Sequence, residues 1–472
     1  VLALTAFLCL IGLFRNNVTE NEVSKFTDAM VYADPAWVPD LFPPGAEPGR
    51  RQWLFQTLAA PLLSHGFLLT SIVGRLVAYL LLAAGLISLK RTLGLKGWLL
   101  IPVVFMMDRF PYLAAREWII LGVEPKVFSY GLVLLAFGCI LRPTPSLTAV
   151  ALLLGLATSF HVLVGLYATF SLVILILGQG LWRGRTLAEG VRALSAFLLA
   201  SAFALRPLAV HLSQQATDPV PGRLSSSFIY VFLRDPHHLD PASWPADWWM
   251  APAIYLTALL LSGWLLRSRG DAQARRVSNG LLLLTLGSLI PFVVGLLIAP
   301  FDHQGRLLQY YPFRFGDVMA PLITYLMVTL SLQLAWAKPW VRWSSTAACA
   351  ALALSLLPGF FRQLRALPDY PGPAQGITAD WRDITTWIRH TTPPGSLFIT
   401  PPRSSTTFPW LARRRMLGTF KQMTLSGGLQ EWHQRMSAMA DWSGPWPMRG
   451  WAAASWLEER YVGLDTEQTR EL

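Results

Sequence analysis

Cysteine is nearly absent from this chain: there are three in 472 residues, Cys9, Cys139 and Cys349, each inside an apolar run. A cysteine in such a run packs as a small hydrophobe, and these three form neither a disulfide framework nor a zinc-ligand spacing. Charge is also scarce. Asp, Glu, Lys and Arg together make up 14% of the residues, which argues against an ordinary water-soluble globule. There is no internal repeat and no low-complexity tract, so neither organises the chain.

What fills the chain is apolar. Hydrophobic residues make up 53%, and 20 tryptophans are present. This is the composition of an α-helical polytopic membrane protein. The formal charge of +12 would suggest nucleic acid as a partner of a soluble protein. Here the basic residues cluster in short loops between apolar runs, as orientation signals do, and nucleic acid is set aside.

Threading the apolar runs predicts about eleven crossings of a lipid bilayer, each needing roughly 20 residues. Val1 opens inside an apolar run of 14 residues, so further residues are expected before it. The next runs fall at 68–89, 98–107, 127–141, 147–159, 162–177 and 190–212, and then at 250–266, 280–299, 318–336 and 344–361. Lys90, Arg91 and Lys96, and then Arg267, Arg269, Arg275 and Arg276, mark the cytoplasmic side. The loops 15–57, 108–126, 213–249 and 300–317 then lie together on the outer side.

Residues 1–361 form the expected membrane part and 362–376 a linker. Residues 377–472 form a small soluble α/β unit on the outer, extracytoplasmic side. Within that unit Trp381, Ile384, Trp387 and Ile388 put one apolar stripe on a helix over 380–390. Ser396–Thr400 and Arg415–Phe420 read as short strands, and Leu429–Ala440 as a further helix.

The first outer loop carries Glu20, Glu22, Asp28, Asp34 and Asp40 with Trp37 and Trp53. Carboxylates at a membrane face can act as a general base or hold a metal, and the tryptophans can pack a ring-shaped substrate or sit among headgroups. The plainer alternative is a solvated loop. The run Arg234-Asp235-Pro236-His237-His238-Leu239-Asp240-Pro241 offers imidazoles and carboxylates for a phosphate, a substrate hydroxyl or a divalent metal. Adjacent histidines point different ways, which favours substrate contact over shared metal ligation, and a capped structural loop is the alternative. Gln309 and Arg314, beside Asp302, His303, Arg306 and Asp317, place an arginine where a helix enters the membrane. There it can neutralise a phosphate or merely snorkel. Glu124 is either a second acid of the site or a helix N-terminal charge. His161 sits at a hairpin tip. Arg75 and Arg206 lie within apolar segments and need partners that the sequence does not name.

The order of elements resembles the GT-C superfamily of membrane glycosyltransferases, and the segment ENEVSKFTDAMVYADPAWVPDLF carries the local likeness. In that register Glu22 takes the place of the family's catalytic carboxylate, Phe26 that of the following aromatic, and Trp37 to Pro39 that of the later element. Glu20 and Asp28 are the alternative registers. Val23 after Glu22 departs from the pattern, in which the acid is usually Asp and often followed by another acid. The PHH and FRFGD loops and the tail DITTWIRHTTPPGSLFITPP also resemble an uncharacterised family of bacterial polytopic membrane proteins, which implies no activity.

The GT-C resemblance implies inverting transfer of a sugar from a polyprenyl-phosphate donor to a glycan or lipid acceptor hydroxyl, at the outer face of a bacterial plasma membrane. It implies a carboxylate base, and the leaving phosphate would be met by Arg314, Arg234, Arg306 and the His237/His238 pair. No cofactor is specified, and a divalent metal remains an option. The rival readings are a flippase or transporter for a lipid-linked glycan and a membrane scaffold with an outer interaction domain.

Overall fold

The computed structural model describes residues 1–15, 18–38, 41, 52–96, 98–120, 122–215, 224–372, 377–422, 428–465 and 467–468, with the backbone alone at 206 and 210–215. The architecture is helical. The first stretch contains α1 (Leu2–Gly12), α2 (Glu20–Ala33), α3 (Trp53–Leu63), α4 (Phe67–Leu93), α5 (Leu100–Arg109) and α6 (Pro125–Ile140). Next come α7 (Leu147–Phe160), α8 (Val162–Gly178), α9 (Leu187–Ala200) and α10 (Ala202–Gln215). A crossing loop holds α11 (Ser226–Phe228), a π-helical turn at Ile229–Arg234 and α12 (Pro236–Leu239). The long helices α13 (Met250–Arg269), α14 (Ala272–Ile298), α15 (Arg314–Gln333) and α16 (Pro339–Arg365) follow. The chain ends with α17 (Ala379–Thr391), α18 (Phe408–Ala412), α19 (Leu429–Met439) and α20 (Gly450–Val462).

Among the described residues five helices are long and apolar enough to cross a membrane: α4, Ala246–Arg269, α14, α15 and α16. The α9–α10 pair makes a sixth if its two parts, bent by 59°, form one span. Of the about eleven crossings expected, length and composition support five, or six with the bent pair. The apolar runs taken for the other crossings are α1, α5, α6, α7 and α8. The longest of these, α8, has 17 residues and reaches about 26 Å at about 1.5 Å per residue, against a hydrocarbon layer of roughly 30 Å. Hydropathy counts apolar residues but does not see where the backbone breaks. The α7–α8 break falls at His161, whose extended backbone (φ −150, ψ 103) ends one helix and starts the next.

Local chemistry explains the helix ends. Thr19, Ser146, Asp271 and Thr378 each accept an N–H of the first turn that follows, and Thr186 with Glu189 forms a full capping box at α9. Gly94 closes α4 in the left-handed region (φ 68), with Lys90 and Arg91 in the last turn where the helix dipole favours cations. Close packing inside the bundle depends on missing side chains. A Cβ on Gly85 would stand 2.6 Å from Leu134 Cβ, and one on Gly131 would stand 2.7 Å from Leu81 Cγ, so α4 and α6 meet backbone to backbone.

The C-terminal unit brings a correction. Its strands are two residues each, Leu397–Phe398 (β1) and Arg415–Met416 (β2), paired in parallel as Leu397 with Arg415 and Phe398 with Met416. The rest of the described unit is helix and turn, so the expected α/β domain is a helical unit with a minimal ribbon. Pro401 and Pro402 follow Thr400 directly and lack the N–H groups that would extend the ladder.

This unit is packed onto the bundle. Trp410 of α18 stacks on Phe67 at 4.0 Å and 9°, and Phe26 lies near both rings, 6.1 Å from Trp410 and 6.5 Å from Phe67. Its indole N–H donates to Thr27 Oγ1 at 2.7 Å. The π-helical turn Ile229–Arg234 serves two cores at once. Ile229 and Leu233 join Phe420, Trp432, Met436 and Leu457 of the C-terminal unit. Val231 and Phe232 join Leu239, Phe292 and Phe313 in a separate core.

Candidate functional site

Two groups of buried charge lie among α2, the 113–126 segment, the 229–240 segment and the start of α15. The first is built on Asp317, at the start of α15. Its Oδ1 accepts the N–H groups of Leu113 (3.0 Å), Ala114 (2.7 Å) and Ala115 (2.8 Å), and its Oδ2 accepts that of Glu117 (2.8 Å). One carboxylate thus folds the 113–117 loop around itself and fixes Glu117. The fully buried Glu117 receives Lys126 Nζ at 2.8 Å on one oxygen and Arg314 Nε at 2.6 Å on the other. Burial alone would raise the Glu117 carboxyl, but Arg314 and then Lys126 outweigh it and hold it well below the usual range. Arg314 also lies 3.2 Å from His161 Nε2 and stacks its guanidinium 3.7 Å from the Tyr311 ring centre. His238 Nδ1 hydrogen-bonds the Ala115 carbonyl. A carbonyl only accepts, so that nitrogen carries the proton.

The second group gathers Glu20, Glu124, Arg234, Asp235, His237, Arg403 and Lys421 from five separate stretches of chain. Arg234 is 2% exposed and pairs through one terminal nitrogen with Asp235 at 2.6 Å. Its guanidinium lies over Phe420 at 4.7 Å and over Trp451 at 5.5 Å. Burial would raise the Asp235 carboxyl, yet Arg234, His237 and His238 push it down to about 2. Tyr311 donates to its other oxygen at 3.2 Å, and Tyr230 in turn donates to Tyr311 at 3.1 Å. His237 and His238 stack at 4.1 Å between ring centres. Burial, and after it the His238 charge, holds His237 down to about 3, so it is neutral.

Several polar atoms of this second group are buried without a hydrogen-bond partner: Glu20 Oε1, Glu124 Oε1, Arg234 Nε and His237 Nδ1. Leaving such atoms unpaired costs about 1–3 kcal/mol each. Four of them fall in this one group, where an ordered water or a ligand would meet them. Burial raises the Glu20 carboxyl, against the pull of Lys421, Arg234 and Arg403.

Glu22 belongs to neither group. It is fully buried, with one oxygen 2.8 Å from Arg75 and the other accepting the Ser71 hydroxyl. Arg75 reaches back to the carbonyls of Leu13 and Arg15, and Tyr370 lies 2.9 Å from Ser71. This names the partner that the sequence withheld for Arg75. Both oxygens of Glu22 are thereby engaged and its charge is matched. Asp28 lies 3.8 Å from Lys25 on the more exposed side of α2. Trp37 packs edge-on to Phe67 at 6.0 Å, in the stack that holds Trp410. Gln309 donates to the Arg306 carbonyl at 2.8 Å. Pro39, Asp40 and the side chain of Arg206 lie outside the described residues. Glu124 lies 3.7 Å from Lys126, which joins the two groups of charge. Among the described residues no three His, Cys, Asp or Glu side chains are arranged to hold a metal ion.

A family described as a domain of unknown function (DUF6798) matches residues 379–439. No curated protein matches the chain. The matched stretch contains Arg403, Trp410 and Lys421, so part of the second group and the peg that docks it come from there.

Sequence reasoning passed over Lys126, Arg403 and Lys421 and gave Glu117 no role. Glu117, Glu124 and Lys126 had a legible signal, since three charges bracketing the apolar run WIILGV must find partners once buried. Lys421 had none, because nothing in TFKQM distinguishes it from a surface lysine.

Proposed function

We propose that this chain is a membrane glycosyltransferase of the GT-C kind, moving a sugar from a polyprenyl-phosphate donor to an acceptor hydroxyl at the outer face of a bacterial plasma membrane. The observation that carries the reading is Glu20, a carboxyl with one buried, unpartnered oxygen set in the field of Lys421, Arg234 and Arg403. In this reaction the acceptor oxygen bonds to the anomeric carbon as the bond from that carbon to the phosphate oxygen breaks. The phosphate leaves with the electron pair, and the acceptor proton goes to Glu20. A carboxylate whose affinity for protons is raised by burial is the better base, and clustered cations offset the charge that develops on the leaving group.

The base is therefore assigned to Glu20, with Glu22 as the structural neighbour that fixes the start of α2. The reading counts α1, α5, α6, α7, α8 and the bent α9–α10 pair as passages beside the five long helices. It also keeps the C-terminal unit on the outer side. The test is release of polyprenyl phosphate from a panel of lipid-linked sugars by purified protein in detergent. Glu20→Gln should lower the rate by about 10²- to 10⁴-fold without changing the unfolding midpoint. Wild-type protein that turns over none of the panel, yet moves lipid-linked glycan across vesicles, would replace this reading with a flippase.

A further inference from the structure

Lys421 differs from the other cations of the site. Arg234 is matched by Asp235, and Arg314 and Lys126 are matched by Glu117. Lys421 makes no hydrogen bond or ion pair with any described residue; its ammonium lies 5.6 Å from the centre of the Trp451 ring. The backbone that carries it is pinned on both sides. The Phe420 N–H donates to the Pro402 carbonyl at 2.7 Å, the Trp432 indole N–H donates to the Thr419 carbonyl at 2.8 Å, and the Gln422 N–H donates to Thr419 Oγ1 at 3.0 Å. Phe420 itself is fully buried against Trp432, Trp446 and Trp451. Lys421 and Arg234 thus share the Trp451 ring from opposite parts of the chain, and Phe420 and Trp451 form an aromatic floor beneath the two charges.

We infer that the C-terminal unit is a working wall of the site, supplying Lys421 as the ligand-facing cation for the phosphate end of a hydroxyl-bearing phosphate ester. The chemistry of the unpartnered atoms selects that class. Arg234 Nε is a donor with no acceptor, and Lys421 adds an unmatched positive charge, so an oxyanion with several oxygens satisfies both. Glu20 and Glu124 each present a carboxyl oxygen with no donor, which the hydroxyl groups of a sugar can supply. A bare anion would leave those two oxygens unmet. The groups facing Lys421 are Arg234, Asp235, Glu20 and Glu124. Burial and then Arg234 hold its ammonium down to about 8, with Asp235, Glu20 and Glu124 acting the other way. Its charge is therefore present at neutral pH and lost as pH rises through 8.

The inference rests on the reading of the site as one that holds a phosphate-linked sugar. It is tested on the full chain in detergent by tryptophan-fluorescence titration with inorganic phosphate, a hexose 1-phosphate and micellar polyprenyl phosphate, each between pH 6.5 and 9.5. The hexose 1-phosphate should bind more tightly than inorganic phosphate, and its affinity should fall above pH 8. Lys421→Gln should weaken binding by about 10- to 100-fold at pH 7, the loss of one charge-assisted contact. Lys421→Arg should retain binding and remove the fall above pH 8. Arg413→Gln, an exposed cation of the same unit, should bind as wild type, and unfolding midpoints confirm that each variant is folded. Binding of polyprenyl phosphate alone, with the same dependence on Lys421, would identify the lipid-borne form as the source of the phosphate and uphold the cation. The inference is overturned if Lys421→Gln binds every probe as wild type does, or if wild-type protein binds none. Lys421-dependent binding without sugar transfer would remove the transferase and leave this site standing. Sugar transfer whose KM is unmoved by Lys421→Gln would do the reverse.

Discussion

Removing the carboxylate of Glu22 should unfold this protein more readily rather than stop its chemistry selectively. Glu22 and Arg75 have side chains 0% and 1% exposed and 2.8 Å apart. Two unit charges about 4 Å apart attract by about 4 kcal/mol at the effective dielectric near a protein surface. Desolvation offsets much of that gain, so the intact pair contributes little net stability. Breaking it is another matter, because Glu22→Gln leaves the Arg75 charge buried and unmatched at a cost of about 3–5 kcal/mol. Arg75→Met should cost a similar amount, and it also strips donors from the carbonyls of Leu13 and Arg15. The double variant Glu22→Leu/Arg75→Met removes both charges. It should recover part of the loss, ending about 1–3 kcal/mol below wild type because the Leu13 and Arg15 carbonyls still lack their donor. Denaturant unfolding in detergent, followed by tryptophan fluorescence, measures all four proteins. Should Glu22→Gln unfold at the wild-type midpoint while sugar transfer is lost, Glu22 is the chemical group and the structural reading of the pair is wrong.

Asp317→Asn keeps one carbonyl-type acceptor for the 113–115 amides but turns an N–H₂ toward the Glu117 N–H. A loss of about 1–3 kcal/mol should appear in the same unfolding assay. Trp410→Ala removes the peg stacked on Phe67 and packed against Phe26, costing about 3–5 kcal/mol; limited proteolysis should then release the C-terminal unit faster than in wild type. Asp235, pushed down to about 2, stabilises the fold fully above its ordinary pKa of 3.8 and loses that contribution as pH falls toward 2. His237, held down to about 3, is neutral when folded and takes a proton on unfolding below its ordinary 6.5, so it weakens the fold in the same direction. Unfolding midpoints measured from pH 7.5 to 2.5 should therefore fall, through His237 below 6.5 and through Asp235 below 3.8, and His237→Phe should flatten the part between pH 6.5 and 4. Reporters fused after Arg276 should be cytoplasmic and those after Asp369 external; the opposite result at Asp369 would remove the C-terminal unit from the outer face.

The sequence by itself determined the helical, membrane-type character of the chain, because composition and apolar run length are properties each segment carries alone. The helices at α17 and α19, and the five long ones, were legible in the same way, from periodicity or from length. It also pointed to the first outer loop, the RDPHHLDP run and Arg314 as stretches where charge must be accommodated. Tertiary structure decided which charges meet. Glu20 and Glu22 sit two residues apart on one helix, and sequence chemistry cannot rank them. A helix turns about 200° over two residues, so one faces Arg75 and Ser71 while the other lies in the field of Lys421 and Arg234. Helix lengths short of a bilayer, the two-residue strands and the docking of the C-terminal unit through Trp410 were likewise hidden. Each depends on contacts between residues hundreds of positions apart, such as Trp410 with Thr27 and Asp317 with Ala114. An ionisable side chain can be buried at tolerable cost only where its complement lies beside it, and that placement exists only once the chain has folded.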